Sequence, residues 1–304
     1  MFQYAAAKSL ALKHATIVKL DVSDYAHDPL RKFELGHFTI DASIARTKDV
    51  AQISFSEGVH FWVRHNNNFL SNNIRRLLKI INLKSSYVTR YYQYNPAEPP
   101  PQLLIGRTVS QRFFHFDEEF SNCPDNVLLI GTWISYKYSY NIRDILIKEF
   151  NLRRLSSRVE RIYCIISNKN SIAVHVRRSD KLTESVYPVV PLSFYKNAME
   201  YFRSQYSDCN FYIFSDDEKW AKTNIRGSDC FHVENEPDAP PAEDLWLMSR
   251  CQHNIVPASS FSWWAAWLNE NSRKQIVITH PSYWIALPNF DTFDISPSDW
   301  IVMS

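Results

Sequence analysis

The sequence predicts an α/β protein whose second half is a doubly wound parallel sheet. Five short apolar runs, at 171–176, 210–215, 230–235, 253–258 and 275–280, alternate with helical patterns at 192–206, 218–224, 242–251 and 261–272. Strands alternating with helices imply right-handed crossovers and parallel pairing. The chain is 304 residues long and 45% apolar, enough for a core in each of two domains. Only 5 residues are glycine, at Gly36, Gly58, Gly106, Gly131 and Gly227, where ordinary usage predicts about 21. Glycines so scattered cannot build a G-x-G-x-x-G turn or a P-loop. Any nucleotide must be gripped by other means.

The elements follow in order. Residues 2–14 read as a helix with Phe2, Ala5, Ala6, Leu10 and Leu12 on its apolar face, and 16–23 as a β-branched strand closed by polar residues. From 61 to 112 stand eight basic residues (Arg64, Arg75, Arg76, Lys79, Lys84, Arg90, Arg107, Arg112) and one acid, Glu98. Inside it Ile74, Leu77, Leu78 and Ile81 fall at i, i+3, i+4, i+7, a basic amphipathic helix. It reads as a solvated face over an ordinary core contact, or as a surface for anionic lipid or a pyrophosphate-linked acceptor. The Pro-rich run 95–101 is a loop. A buried strand is expected at 126–133 and a helix at 141–150. A further helix ending in a polar turn within 152–170 marks the boundary between domains at 1–155 and 156–304.

A formal net charge of +2 argues against a dedicated nucleic-acid binder. No apolar run approaches the ~18 residues of a membrane span, and the N-terminus reads as a helix start, not a signal peptide. Five scattered cysteines without C-x-x-C spacing suit buried, reduced thiols. The expected location is the cytoplasm, with peripheral contact at the inner membrane face through 61–112.

Open parallel sheets bind ligands beyond their strand C-termini. At the end of 171–176 come His175, Arg177, Arg178, Ser179 and Asp180. Two adjacent arginines there suit phosphate or carboxylate, or else a salt-bridge network with Asp180. Alternation would send His175 and Arg177 to one face. Beyond 210–215 stand Asp216 and Asp217, open to three readings: a helix N-cap, a contact to guanine or ribose, or a divalent-metal pair. Beyond 253–258, Ser259, Ser260, Phe261 and Ser262 open a helix, which is either simple capping or a phosphate site that needs no glycine. Trp263, Trp264 and Trp267 read as core in preference to a sugar platform. Three strand ends thus converge on an anion-binding, nucleotide-shaped site.

Those segments, His175 to Asp180, Phe214 to Trp220, Asp244 to Ile255 and Ser259 to Asn269, resemble bacterial α-1,2-fucosyltransferases of glycosyltransferase family 11. Met1 to Ala5, Phe116 to Glu119 and Pro124 to Val127 extend the likeness over most of the chain. The resemblance implies a GT-B-like fold of two Rossmann-like domains facing a cleft. It implies inverting transfer of L-fucose from GDP-fucose to the 2-hydroxyl of a galactoside in surface polysaccharide or O-antigen synthesis. No metal or other cofactor is implied. The acceptor is a galactose-containing oligosaccharide, free or lipid-pyrophosphate-linked. Arg177 would contact the β-phosphate as the catalytic group, with His175 and one of Asp216 or Asp217 near the guanosine. Ser259, Ser260 and Phe261 would line the pyrophosphate and fucose, with Arg178 and Asp180 beside them.

Departures from the family pattern are expected to matter. This chain starts at the Met that usually follows a first strand and a G-G-x-G-N-Q loop. Ser179 stands for the usual Gly, Pro257-Ala258 for Ala-Asn, and Ile134 and Tyr136 replace the amide and the carboxylate of G-Y-W-Q-S-E-K-Y. Two alternatives follow: a degenerate chain that binds GDP nucleotide without turnover, or a fucosyltransferase of another linkage.

Overall fold

The computed structural model describes residues 1–26, 32–53, 104–105, 107–167, 170–183, 186–286, 291 and 293–304. The basic amphipathic segment at 74–81 and the Pro-rich run at 95–101 lie outside these residues. The chain forms two compact units, Met1–Phe33 with Asp41–Ile142, and Glu34–Ile40 with Arg143–Ser304.

In the first unit, α1 (Phe2–Lys13) buries Tyr4, Ala5, Ala6, Leu10 and Ala11, whereas Leu12, expected on the apolar face, is exposed. Lys8 is buried as well, its Nζ donating to Asp41 Oδ2 at 2.9 Å. The strand expected at 16–23 is only β1 (Val18–Leu20), paired in parallel with β2 (Ala42–Ile44). After α2 (Thr47–Ile53) come β3 (Leu104–Ile105), β4 (Thr108–Ser110) and β5 (Leu128–Ile130), with β4 and β5 parallel. A core of Ala6, Leu10, Val109, Phe120, Cys123, Trp133 and Tyr138 ties α1 to this sheet.

The strand expected over 126–133 stops at Ile130 because a residue outside it takes two amides just beyond that point. Gln111, just beyond β4, accepts bonds at its Oε1 from the amides of Thr132 and Trp133, both at 2.8 Å. That clamp holds Trp133 at a φ of 54°, left-handed backbone uncommon for a bulky residue. Gln3 Nε2 donates to the Gly131 carbonyl at 2.9 Å from the other side.

The second unit follows the predicted rhythm. Its elements are α3 (Arg143–Glu149), α4 (Ser157–Ile166), β6 (Ser171–Val176), α5 (Leu192–Gln205), β7 (Asn210–Ser215), α6 (Glu218–Asn224), β8 (Cys230–His232), α7 (Pro241–Arg250), β9 (His253–Val256), α8 (Ser260–Leu268), β10 (Ile276–Thr279) and β11 (Ile301–Met303). All six strands are parallel, in the order β11-β10-β9-β6-β7-β8. Counted from β6 this is 3-2-1-4-5-6, the doubly wound order of dinucleotide-binding sheets. Every residue of β6 is buried, as a central strand covered on both faces requires.

Trp263, Trp264 and Trp267 are all buried, so α8 presents them to the core. At the far end of the sheet the buried Asn254 and Asn269 lock three elements. Asn269 Nδ2 donates to Cys251 O and Asn254 Oδ1, while Asn254 Nδ2 donates to Met248 O, each at 2.8 Å. The cysteines are free thiols, with Cys123, Cys209 and Cys251 buried and Cys164 exposed. Among the described residues no helix is long and apolar enough to cross a membrane.

Candidate functional site

In the order 3-2-1-4-5-6 the connections reverse between the first and fourth strands, here β6 and β9. In open parallel sheets that reversal is where ligands bind, beyond the strand C-termini. Two of the three predicted segments leave the sheet at that point, and the third leaves the neighbouring β7.

The β6 segment is pinned by one carboxylate. Asp216 Oδ1 accepts from the Arg178 amide at 2.8 Å, and its Oδ2 accepts from the Ser179 amide at 3.2 Å and the Ser179 hydroxyl at 2.5 Å. The Arg177 guanidinium lies 3.2 Å from the same Oδ2. Asp216 thus organises the whole Arg177-Arg178-Ser179 turn. The serine in place of the family glycine adds a hydroxyl donor to this grip. β6 ends at Val176, so the alternation expected to place His175 and Arg177 on one face stops one residue short.

Asp217 is the N-cap of α6, accepting from the Trp220 amide at 3.1 Å, as one of its three sequence readings held. Its other oxygen is 3.5 Å from Arg178 Nε. Both acids are therefore engaged by protein donors.

His175 is 5% exposed, and its ring packs 5.4 Å from that of Phe261 at the start of α8. This contact brings the β6 and β9 segments together. Burial pushes the imidazole down to about 3, an effect that Arg177 and Lys181 reinforce and Asp216 opposes. The imidazole is therefore neutral at pH 7. Its buried Nδ1 has no hydrogen-bond partner among the described residues.

Ser259 occupies the N-cap position of α8, yet its side chain makes no cap bond. Its amide donates to the Pro257 carbonyl at 2.7 Å, and its carbonyl accepts from Trp263. Capping by the Ser259 hydroxyl is thus not what satisfies the first-turn amides of α8. Ser260 is exposed and Phe261 half-buried. Asp180 begins a single 3-10 turn, Asp180–Leu182, and its side chain lies outside the described residues.

The structure adds groups that strand-end reasoning missed. Lys181 is buried beside His175, and its signal was its place in the run His175 to Lys181. Tyr195 of α5 is fully buried, its phenol pushed upward by burial. Nothing in its local pattern separates it from an ordinary core tyrosine. In the first unit Asp117, within the Phe116 to Glu119 segment, is buried and held by Arg112 through bonds of 2.6 and 2.7 Å.

Residues 107–300 match the model of glycosyl transferase family 11. The O-antigen biosynthesis glycosyltransferase WbnK of Escherichia coli is 29% identical, over 94% of this chain and 91% of that protein. An α-1,2-colitosyltransferase of Escherichia coli is 25% identical, over 99% and 93%. The galactoside α-(1,2)-fucosyltransferase 1 of Rattus norvegicus is 30% identical over 56% of this chain and 47% of its own length.

Proposed function

The chain belongs to glycosyl transferase family 11, and from that premise we propose that it transfers L-fucose from GDP-fucose to the 2-hydroxyl of a galactoside with inversion, in O-antigen synthesis. A glycosyltransferase needs a grip on a nucleotide diphosphate and a way to stabilise its departure. The observation that carries the proposal is the meeting of the Arg177 turn with the start of α8 at the β6/β9 switch point, joined by the His175–Phe261 contact.

The chemistry follows from those groups. Cleavage of the sugar–phosphate bond leaves an oxocarbenium-like carbon and puts a new negative charge on the diphosphate. Arg177, 37% exposed at its side chain, supplies a permanent cation with planar donors to that charge. The uncapped amides of α8 supply further donors from a helix N-terminus. Neutral His175 offers its buried Nδ1 to a nucleoside edge without adding charge. We propose that the transfer needs no metal, because Asp216 and Asp217 are held by protein donors and Arg177 with the helix-end amides can take the leaving charge in its place.

The test is incubation of the purified chain with GDP-fucose and a lactose-type acceptor, with and without a chelator, the linkage being read by NMR. The expected product is the 2-linked fucoside, formed at the same rate in chelator. Absence of any 2-linked product overturns the transfer. Chelator-sensitive transfer overturns its metal independence. GDP binding without turnover marks the nucleotide-binding alternative, and transfer of colitose but not of fucose, in a parallel reaction with a nucleotide-activated colitose, moves the assignment towards the colitosyltransferase relative.

A further inference from the structure

We infer that Trp220 is a positioning residue of the donor site: its indole face holds the Arg178 guanidinium, so that two adjacent arginines take different tasks. The inference rests on the donor reading above. Arg178 Cζ lies 4.1 Å from the centroid of the Trp220 ring, within the range of a cation–π contact. Its Nε is 3.5 Å from Asp217 Oδ2, and its main-chain amide donates to Asp216. The Arg178 side chain is 15% exposed, against 37% for Arg177.

Trp220 is itself braced. Its amide donates to Asp217 Oδ1, and its ring meets that of the buried Tyr195 edge-to-face at 6.2 Å. The first turn of α6 therefore presents an anion and an aromatic face to one guanidinium, with α5 behind it.

Two like charges on consecutive residues compete for the same anions. Without the indole, Arg178 would be drawn towards Asp216 or an incoming diphosphate, and the Asp216-bound turn would lose its single geometry. A guanidinium held over an aromatic ring keeps its charge while its direction is set. Arg177 is then the arginine that meets the leaving diphosphate, and Arg178 braces the turn.

Two measurements test this, and only the second requires the donor reading to hold. In 1H–15N spectra of the full chain, the Arg178 Nε–H signal is expected upfield of the random-coil position through the indole ring current. It should return to that position in Trp220→Leu and stay upfield in Trp220→Phe. By calorimetry, Trp220→Leu should weaken GDP binding about tenfold, and Trp220→Phe less than about threefold. The double variant Trp220→Leu/Arg178→Ala should bind no more weakly than Arg178→Ala alone, because Trp220 acts through Arg178. A random-coil Arg178 signal in the unmodified chain overturns the inference. So does GDP affinity within about twofold in Trp220→Leu, or additive losses in the double variant. If the unmodified chain binds no GDP, the donor reading fails, and the Arg178 signal alone decides whether the clamp exists.

Discussion

Asp216 shows how one side chain can organise a whole turn. Its two oxygens gather two amides, a hydroxyl and a guanidinium from three consecutive residues. The sequence showed the acid at a strand end but not what it faced, because the partner turn is 37–39 residues away in the chain. Arg177 carries the heaviest prediction at this scale. Arg177→Ala should reduce kcat/KM by the equivalent of about 2–5 kcal/mol, the range for loss of one partner in a desolvated charge contact. The loss should fall on turnover and donor affinity, with the melting temperature little changed since the side chain is 37% exposed. Turnover near that of the unmodified chain would remove Arg177 from the chemistry.

Among elements, the link between α4 and α7 is the most exposed to disruption. Arg158 of α4 is buried, with Nη2 at 2.7 Å from Asp244 Oδ1 and Nη1 at 3.4 Å from Glu243 Oε2. It also donates to the Glu234 carbonyl at 3.0 Å, fixing the strand exit that leads into α7. Its removal leaves two acids with little water to solvate them. Arg158→Ala should therefore cost about 3–5 kcal/mol of stability, read as a lower urea midpoint at unchanged m-value. A loss below ~1 kcal/mol would place the pair among ordinary surface bridges. From sequence, Arg158 was one of several polar residues in a helix within 152–170. Its pairing is set by contacts 85–86 residues apart.

The whole molecule should answer to pH through histidines buried neutral. His253, at the start of β9, is fully buried between Phe202 and Tyr206, and its Nδ1 accepts the Gln275 amide at 2.9 Å. Protonation would abolish that bond, and burial pushes the group down to about 4. His175 is pushed down to about 3. The unfolded chain binds these protons near pH 6.5 while the folded chain refuses them. Stability from this source is therefore complete above about pH 6.5 and lost as pH falls towards 4 and then 3, at up to about 1.4 kcal/mol per pH unit for each histidine. Urea titrations at pH 7, 6, 5 and 4 should show this slope, and His253→Gln should flatten it between pH 6 and 4. An identical slope in the variant would remove His253 as its source.

The sequence by itself determined the α/β class, the five strands β6 to β10 and the helices between them. These are local properties: apolar periodicity, β-branching and turn residues act over a few neighbours. Boundaries moved where a distant partner intervened, as when Gln111 closed the strand at Ile130 or Asn235 left β8 to bond Glu218 and Ser215. Tertiary structure alone decided the strand order, hence the adjacency of β6 and β9. It also decided that Asp216 holds a turn, which of the two adjacent acids caps the helix, and that Trp220 faces Arg178. Each of those outcomes depends on which elements lie side by side, and side-by-side placement is set by burial summed over the whole sheet, which no short stretch of chain contains.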